Sequence, residues 1–243
     1  MTTKPGALFF LLLTVACPLH GQSLGAYKSK FAGRWVSGKH STIHYRMFAP
    51  AKISKATSLP IVIYLHGSAK VGNDNVKQTK VAVPVSFVRH MKKRPCILIA
   101  PQCPPGTSWM TKSGDAVIEL VDDILKQVSV ADKKRVYLTG FSLGGMGTWR
   151  LLDLRPDLFA AAVPLAGAGN PATAGKLQEV DIWIFHGRRD KFVPVKYARD
   201  MAAALKKAGA PAKYSELVAG HLITSMVFNK EDVHQWLFQQ KRE

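Results

Sequence analysis

Residues 136–149 read Val136-Tyr-Leu-Thr-Gly140-Phe-Ser142-Leu-Gly144-Gly-Met-Gly-Thr-Trp149, an apolar run that enters Gly-x-Ser-x-Gly and leaves in a helical pattern. Before the turn, residues 135–139 (Arg-Val-Tyr-Leu-Thr) are rich in the β-branched and aromatic types that suit a strand. After it, Met146, Trp149, Leu151 and Leu152 share one helical face up to the breaker Arg155-Pro156. Strand, tight turn and helix present a serine hydroxyl on a strained bend, and glycine at 140 and 144 keeps side chains out of crossing backbone. Ser142 is therefore the candidate nucleophile. The pentapeptide alone is weak; its flanks carry the reading.

Working outward, apolar runs alternate with helical patterns. Residues 41–48 alternate like a half-exposed strand, and 59–65 (Leu-Pro-Ile-Val-Ile-Tyr-Leu) form a continuous run of the buried-strand kind. Further runs are 96–100, 159–165, 181–185 and 214–218. Between them Ala116, Val117, Leu120, Val121, Ile124, Leu125 and Val128 recur on one face, as do Tyr197, Met201, Ala204, Leu205 and Ala208, and 233–237 closes the chain. This order predicts an α/β fold, a mostly parallel sheet with helices on both faces. In such sheets sites form at the carboxyl ends of the strands.

That rule selects partners for Ser142. A serine hydroxyl needs an imidazole to take its proton and a carboxylate to hold that imidazole. Asp181 begins its strand, on the wrong side of the sheet, whereas Asp190 lies just past the end of the same strand. Residues 167–177 contain no Asp or Glu, and Glu216 is inside a strand. For the base, His221 directly follows the last strand; His186 competes but belongs to the turn presenting Asp190, and His234 reads as a surface residue of the final helix. The order Ser142, Asp190, His221 is that of the α/β-hydrolase fold. An oxyanion would be met by the backbone N–H of Leu143 and, from the loop after 59–65, that of Ser68, with His66 shaping that loop. No metal or cofactor is implied.

The 243 residues fit one catalytic domain, 22–243, preceded by a signal peptide at 1–21. Its apolar segment, 7–16, is too short to span a bilayer, and no other segment reads as transmembrane. Cleavage after Gly21 is one reading and a lipobox at Cys17, giving a lipid-anchored protein, is the other. Both place the chain outside the cytoplasm, secreted or periplasmic. Cys96 and Cys103 lie seven residues apart in extended chain, roughly 20 Å, too far for a disulfide. With 34 Lys plus Arg against 16 Asp plus Glu the net charge is +18, which leaves an acidic polymer open as a partner beside the simpler reading of a scattered basic surface. The cations are scattered without a nucleic-acid motif, which argues against specific nucleic-acid recognition.

From about Tyr45 to Trp236 the chain resembles secreted α/β-hydrolases of the carboxylesterase and phospholipase-like branch, near feruloyl esterases, acetyl-xylan esterases and polyhydroxybutyrate depolymerase-like proteins. The residues that carry the likeness are Leu65-His-Gly-Ser68, Gly72-x-Asp-Asn75, Ala100-Pro-Gln102-Cys103, Trp109, the stretch 140–149, His186-Gly-x-x-Asp190 with Val193-Pro194, and Gly220-His221. The resemblance implies a triad of Ser142, Asp190 and His221, and a loop Trp109 that either packs substrate or anchors the loop as a core residue. Gln102 and Leu222 count as further substrate-binding candidates. Departures border the cleft: Leu222-Ile-Thr-Ser-Met226 follows the histidine, and Ala69-Lys70-Val71 follows Ser68. The 14 residues of 167–180 leave no room for a large lid domain. The expected activity is hydrolysis of short-chain or polysaccharide-linked esters, of acetyl or feruloyl type, by a monomer through an acyl-enzyme. The alternatives are a phospholipase, a prolyl-oligopeptidase-like peptidase, or an inactive binding protein on the same scaffold.

Overall fold

The computed structural model describes residues 43–50, 53 and 58–243, together with the backbone path of 33–40. The expected signal peptide and Cys17 lie outside the described residues. The strands are β1 (Gly33–His40), β2 (Ile43–Pro50), β3 (Leu59–Leu65), β4 (Ile97–Gln102), β5 (Ala131–Phe141), β6 (Ala161–Leu165), β7 (Asp181–Gly187) and β8 (Ala212–Leu217). They form one sheet in the order β1-β2-β4-β3-β5-β6-β7-β8. Strand β2 pairs antiparallel with β1 and β4, and every other pairing is parallel.

The centre of the sheet is buried on both faces, so its strands are apolar throughout: all seven residues of β3 are buried. Alternate residues serve opposite cores. Ile61, Ile63 and Leu65 join one core with side chains of α2 (Lys112–Gln127), α3 (Leu143–Leu154) and α4 (Lys196–Lys207). Val62 and Tyr64 join the other with α1 (Ala82–His90), α5 (Thr224–Phe228) and α6 (Glu231–Gln239). Each fully buried Ile or Val of this kind contributes about 1.5–3 kcal/mol.

The structure departs from the sequence pattern in several places. Strand β1 is an added antiparallel neighbour of β2, helix α1 fills a stretch with no expected element, and β5 starts at Ala131 rather than near 136. Helix α1 carries Pro84, which a helix tolerates because it falls in the first turn. The early part of β5 is polar because Lys133 and Lys134 are exposed there. Between β6 and β7 the chain makes a short 3-10 helix, Pro171–Leu177, capped by Asn170 Oδ1, which accepts from Ala172 N–H at 3.1 Å. Cys96 and Cys103 are both free and buried.

Register aligns the carboxyl ends of the strands. Leu65 is level with Gly140, Phe141 with Leu165, Leu165 with Phe185, and Phe185 with Ser215. The segments that follow β3, β5, β7 and β8 therefore emerge along a single edge.

Candidate active site

Ser142 occupies the turn between β5 and α3 with φ 57° and ψ −115°, a conformation that L-residues adopt at a cost. The surroundings hold it there. Its N–H donates to Leu165 O and its carbonyl accepts from Met146 N–H, both at 2.9 Å. A methyl group at 144 would lie 1.9 Å from Leu65 O, and one at 140 would lie 2.1 Å from Gly144 O. Glycine at both positions lets α3 approach β3 and β5 closely enough to force the bend.

His221 and Asp190 meet this serine from the far strands. His221 Nε2 is 2.9 Å from Ser142 Oγ, and His221 Nδ1 is 2.7 Å from Asp190 Oδ2. An acid that only accepts makes Nδ1 the protonated nitrogen, leaving Nε2 bare toward the hydroxyl. Asp190 Oδ1 accepts from the backbone N–H groups of Phe192 and Val193, each at 2.9 Å. Burial pushes the Asp190 carboxyl up, but the bonds from His221, Val193 and Phe192 outweigh it and hold the group below its ordinary range. It stays ionised.

The other histidines have different places. His186 is fully buried behind the acid, its Nε2 donating to Val193 O at 2.8 Å and lying 3.3 Å from Asp190 Oδ2, so it cannot reach Ser142 as a base while it holds that position. His234 is not a surface residue as its helix position suggested. It is fully buried between α1 and α5, with Nε2 bonded to Phe228 O at 3.0 Å and to Ser86 Oγ at 2.8 Å. Glu216 is committed to Arg188 and Arg199, each at 2.8 Å.

Opposite the elbow runs the loop after β3. A methyl group at Gly67 would lie 3.2 Å from Phe141 Cδ1 and 3.5 Å from Ser142 Cβ, so this loop passes directly over the serine. Ser68, exposed, begins the short 3-10 helix Ser68–Lys70 beyond it. Leu143 is the first residue of α3, where a backbone N–H has no intrahelical acceptor. His66 shapes the loop: its Nε2 accepts from Cys103 N–H at 3.0 Å, so Nδ1 carries the proton and donates to Gly67 O at 2.8 Å. Burial lowers the His66 pKa to about 4, which keeps it neutral.

Two of the expected substrate contacts are corrected. Trp109 is fully buried, donates Nε1–H to His66 O at 2.9 Å and packs edge-on against the His66 ring, so it anchors the loop. Gln102 is 1% exposed. Its amide donates to Lys70 O at 3.1 Å and accepts from Asn75 N–H, so it braces the loop from beneath. Leu222 is exposed beside His221. The sequence reading missed two aromatic neighbours of His221: Phe141, with ring centroids 4.8 Å apart, and Phe192, 5.2 Å apart. Their adjacency to the motif residues was visible, but nothing in the sequence distinguishes an aromatic on the imidazole from one in the core. Among the described residues no group of three or more His, Cys, Asp or Glu is gathered so that it could hold a metal ion.

Residues 106–221 match the Dienelactone hydrolase family. A bifunctional acetylxylan esterase/xylanase of Neocallimastix patriciarum is 31% identical over 152 residues, 59% of this chain and 21% of that protein. A thermostable esterase of known structure is 30% identical with a TM-score of 0.79, over 87% of this chain and 64% of that one. An acylaminoacyl peptidase of Pyrococcus horikoshii shares the fold with a TM-score of 0.69 at 13% identity, over 88% of this chain and 42% of that one. The chain thus spans about a fifth of the length of the acetylxylan esterase/xylanase and less than two thirds of the thermostable esterase.

Proposed function

We propose that this chain, an α/β-hydrolase, is a serine esterase acting through an acyl-enzyme, with residues 22–243 as its catalytic domain and an extracytoplasmic site of action. The observation that carries the reading is the continuous hydrogen-bonded relay from Ser142 Oγ through His221 to Asp190. Ser142 attacks the ester carbonyl as His221 Nε2 takes its proton, and Asp190 steadies the imidazolium that forms. The N–H groups of Leu143 and Ser68 receive the oxyanion. The proton passes from His221 to the departing alcohol, and water then releases the acid by the same steps in reverse roles.

Short-chain or polysaccharide-linked esters of acetyl or feruloyl type are the substrate class, supported by the likeness to the acetylxylan esterase/xylanase and by the short connection between β6 and β7. An acidic polymer would be drawn to the +18 charge. The test is turnover of ethyl acetate together with labelling by a fluorophosphonate. Ser142→Ala is expected to lower kcat by about 10⁴-fold or more and to abolish labelling; turnover surviving in that variant would end the assignment. An alanine anilide in the same panel separates an esterase from a peptidase, with which the shared feature is the fold.

A further inference from the structure

Phe192 is 81% exposed, the most open of the large apolar side chains among the described residues. Its backbone is tied to the acid. Its backbone N–H donates to Asp190 Oδ1 at 2.9 Å, and its ring meets His221 with centroids 5.2 Å apart at 44°. The hydrogen bond to the acid therefore anchors the backbone from which the ring projects. Leu222, 79% exposed, flanks the same histidine.

In acyl transfer the imidazole that takes the serine proton returns it to the departing alcohol, so the alcohol part of an ester must lie beside that imidazole. A solvent-open ring on His221 borders this part of the substrate. We propose that Phe192 is the platform on which the pyranose ring of a sugar alcohol stacks, which makes the substrate an ester carried on a polysaccharide; this rests on the esterase reading above. The aromatic face carries partial negative charge that attracts the polarised C–H groups on one side of a pyranose, while the sugar hydroxyls point outward to water. An aromatic alcohol would gain most from a slot closed on two sides. A single exposed ring leaves room for a polymer to continue past it in both directions. Arg189 and Lys191, exposed on either side of Asp190, offer donors to the outward hydroxyls.

The experiment compares wild type, Phe192→Ala and Phe192→Trp on an acetylated xylo-oligosaccharide, ethyl acetate and phenyl acetate. Phe192→Ala is expected to lower kcat/KM on the oligosaccharide about tenfold more than on ethyl acetate, and the difference is expected to be rescued by tryptophan. In parallel, titration calorimetry of the oligosaccharide with Ser142→Ala should show binding that weakens about tenfold when Phe192→Ala is added. An equal loss on ethyl acetate makes Phe192 a support for His221 and overturns the platform. So does an unchanged oligosaccharide rate, a larger loss on phenyl acetate, or no oligosaccharide binding to Ser142→Ala. A wild type that leaves all three esters intact sinks the esterase reading instead, and calorimetry still decides the platform.

Discussion

Asp190 Oδ1 takes two backbone N–H bonds and Oδ2 takes the Nδ1–H of His221, with His186 Nε2 3.3 Å away. That density of partners is what keeps a nearly buried carboxyl ionised and pointed at His221. Trp109 shows how differently a conspicuous residue can be used. Read in sequence it could pack substrate or core; enclosed completely, with its indole N–H on His66 O, it holds the loop that passes over Ser142. Trp109→Ala is expected to cost about 3–5 kcal/mol of stability, because the removed ring leaves a cavity that the surroundings fill only in part. Urea unfolding measures it, and a change below about 1 kcal/mol would contradict core anchoring.

The elbow is where local sequence and element packing agree. Strand β5, the bend at Ser142 and helix α3 were legible because each part has its own signal: β-branched run, glycines, helical face. Helix α1 had none, since Pro84 interrupts its pattern, and β1 carries two glycines and four polar or charged residues among eight. Strands and helices of that kind are held by what they pack or pair with, which no short window contains. At the elbow the prediction is sharp. Gly144→Ala places a methyl group 1.9 Å from Leu65 O, backbone against which neither strand nor helix can yield cheaply. The expected outcome is loss of several kcal/mol or failure to fold, and a variant with wild-type melting temperature and activity would refute the close packing of α3 on β3.

Over the whole molecule, two buried neutral histidines link stability to acid. His66 lies under the loop, within reach of the charges of Lys70 and Asp74, and His234 lies between α1 and α5, near His90, Arg94 and Glu231; burial lowers both to about 4. Their unfolded forms take up protons near pH 6.5 while the folded forms resist, so stability is full above about 6.5 and falls as pH drops toward about 4. Each should contribute a slope of about 1.4 kcal/mol per pH unit within that window. Urea midpoints measured from pH 7 to 4.5 test this, with His234→Gln expected to make the fall shallower; an unchanged slope would count against His234 as a source. His234 looked like a surface residue because helix position reports a face, and only the docking of α6 shows whether that face is covered. The same distinction runs through the protein. The amino-acid sequence alone determined the parallel α/β order, the bend at Ser142 and the chain positions of Asp190 and His221, because strand periodicity, glycine and residue type act over short range. Which aromatic lies on His221, which histidine stands behind Asp190, and which tryptophan is enclosed were decided only by the tertiary structure. Those are contacts between residues up to 80 positions apart, set by sheet register and loop course rather than by any pattern along the chain.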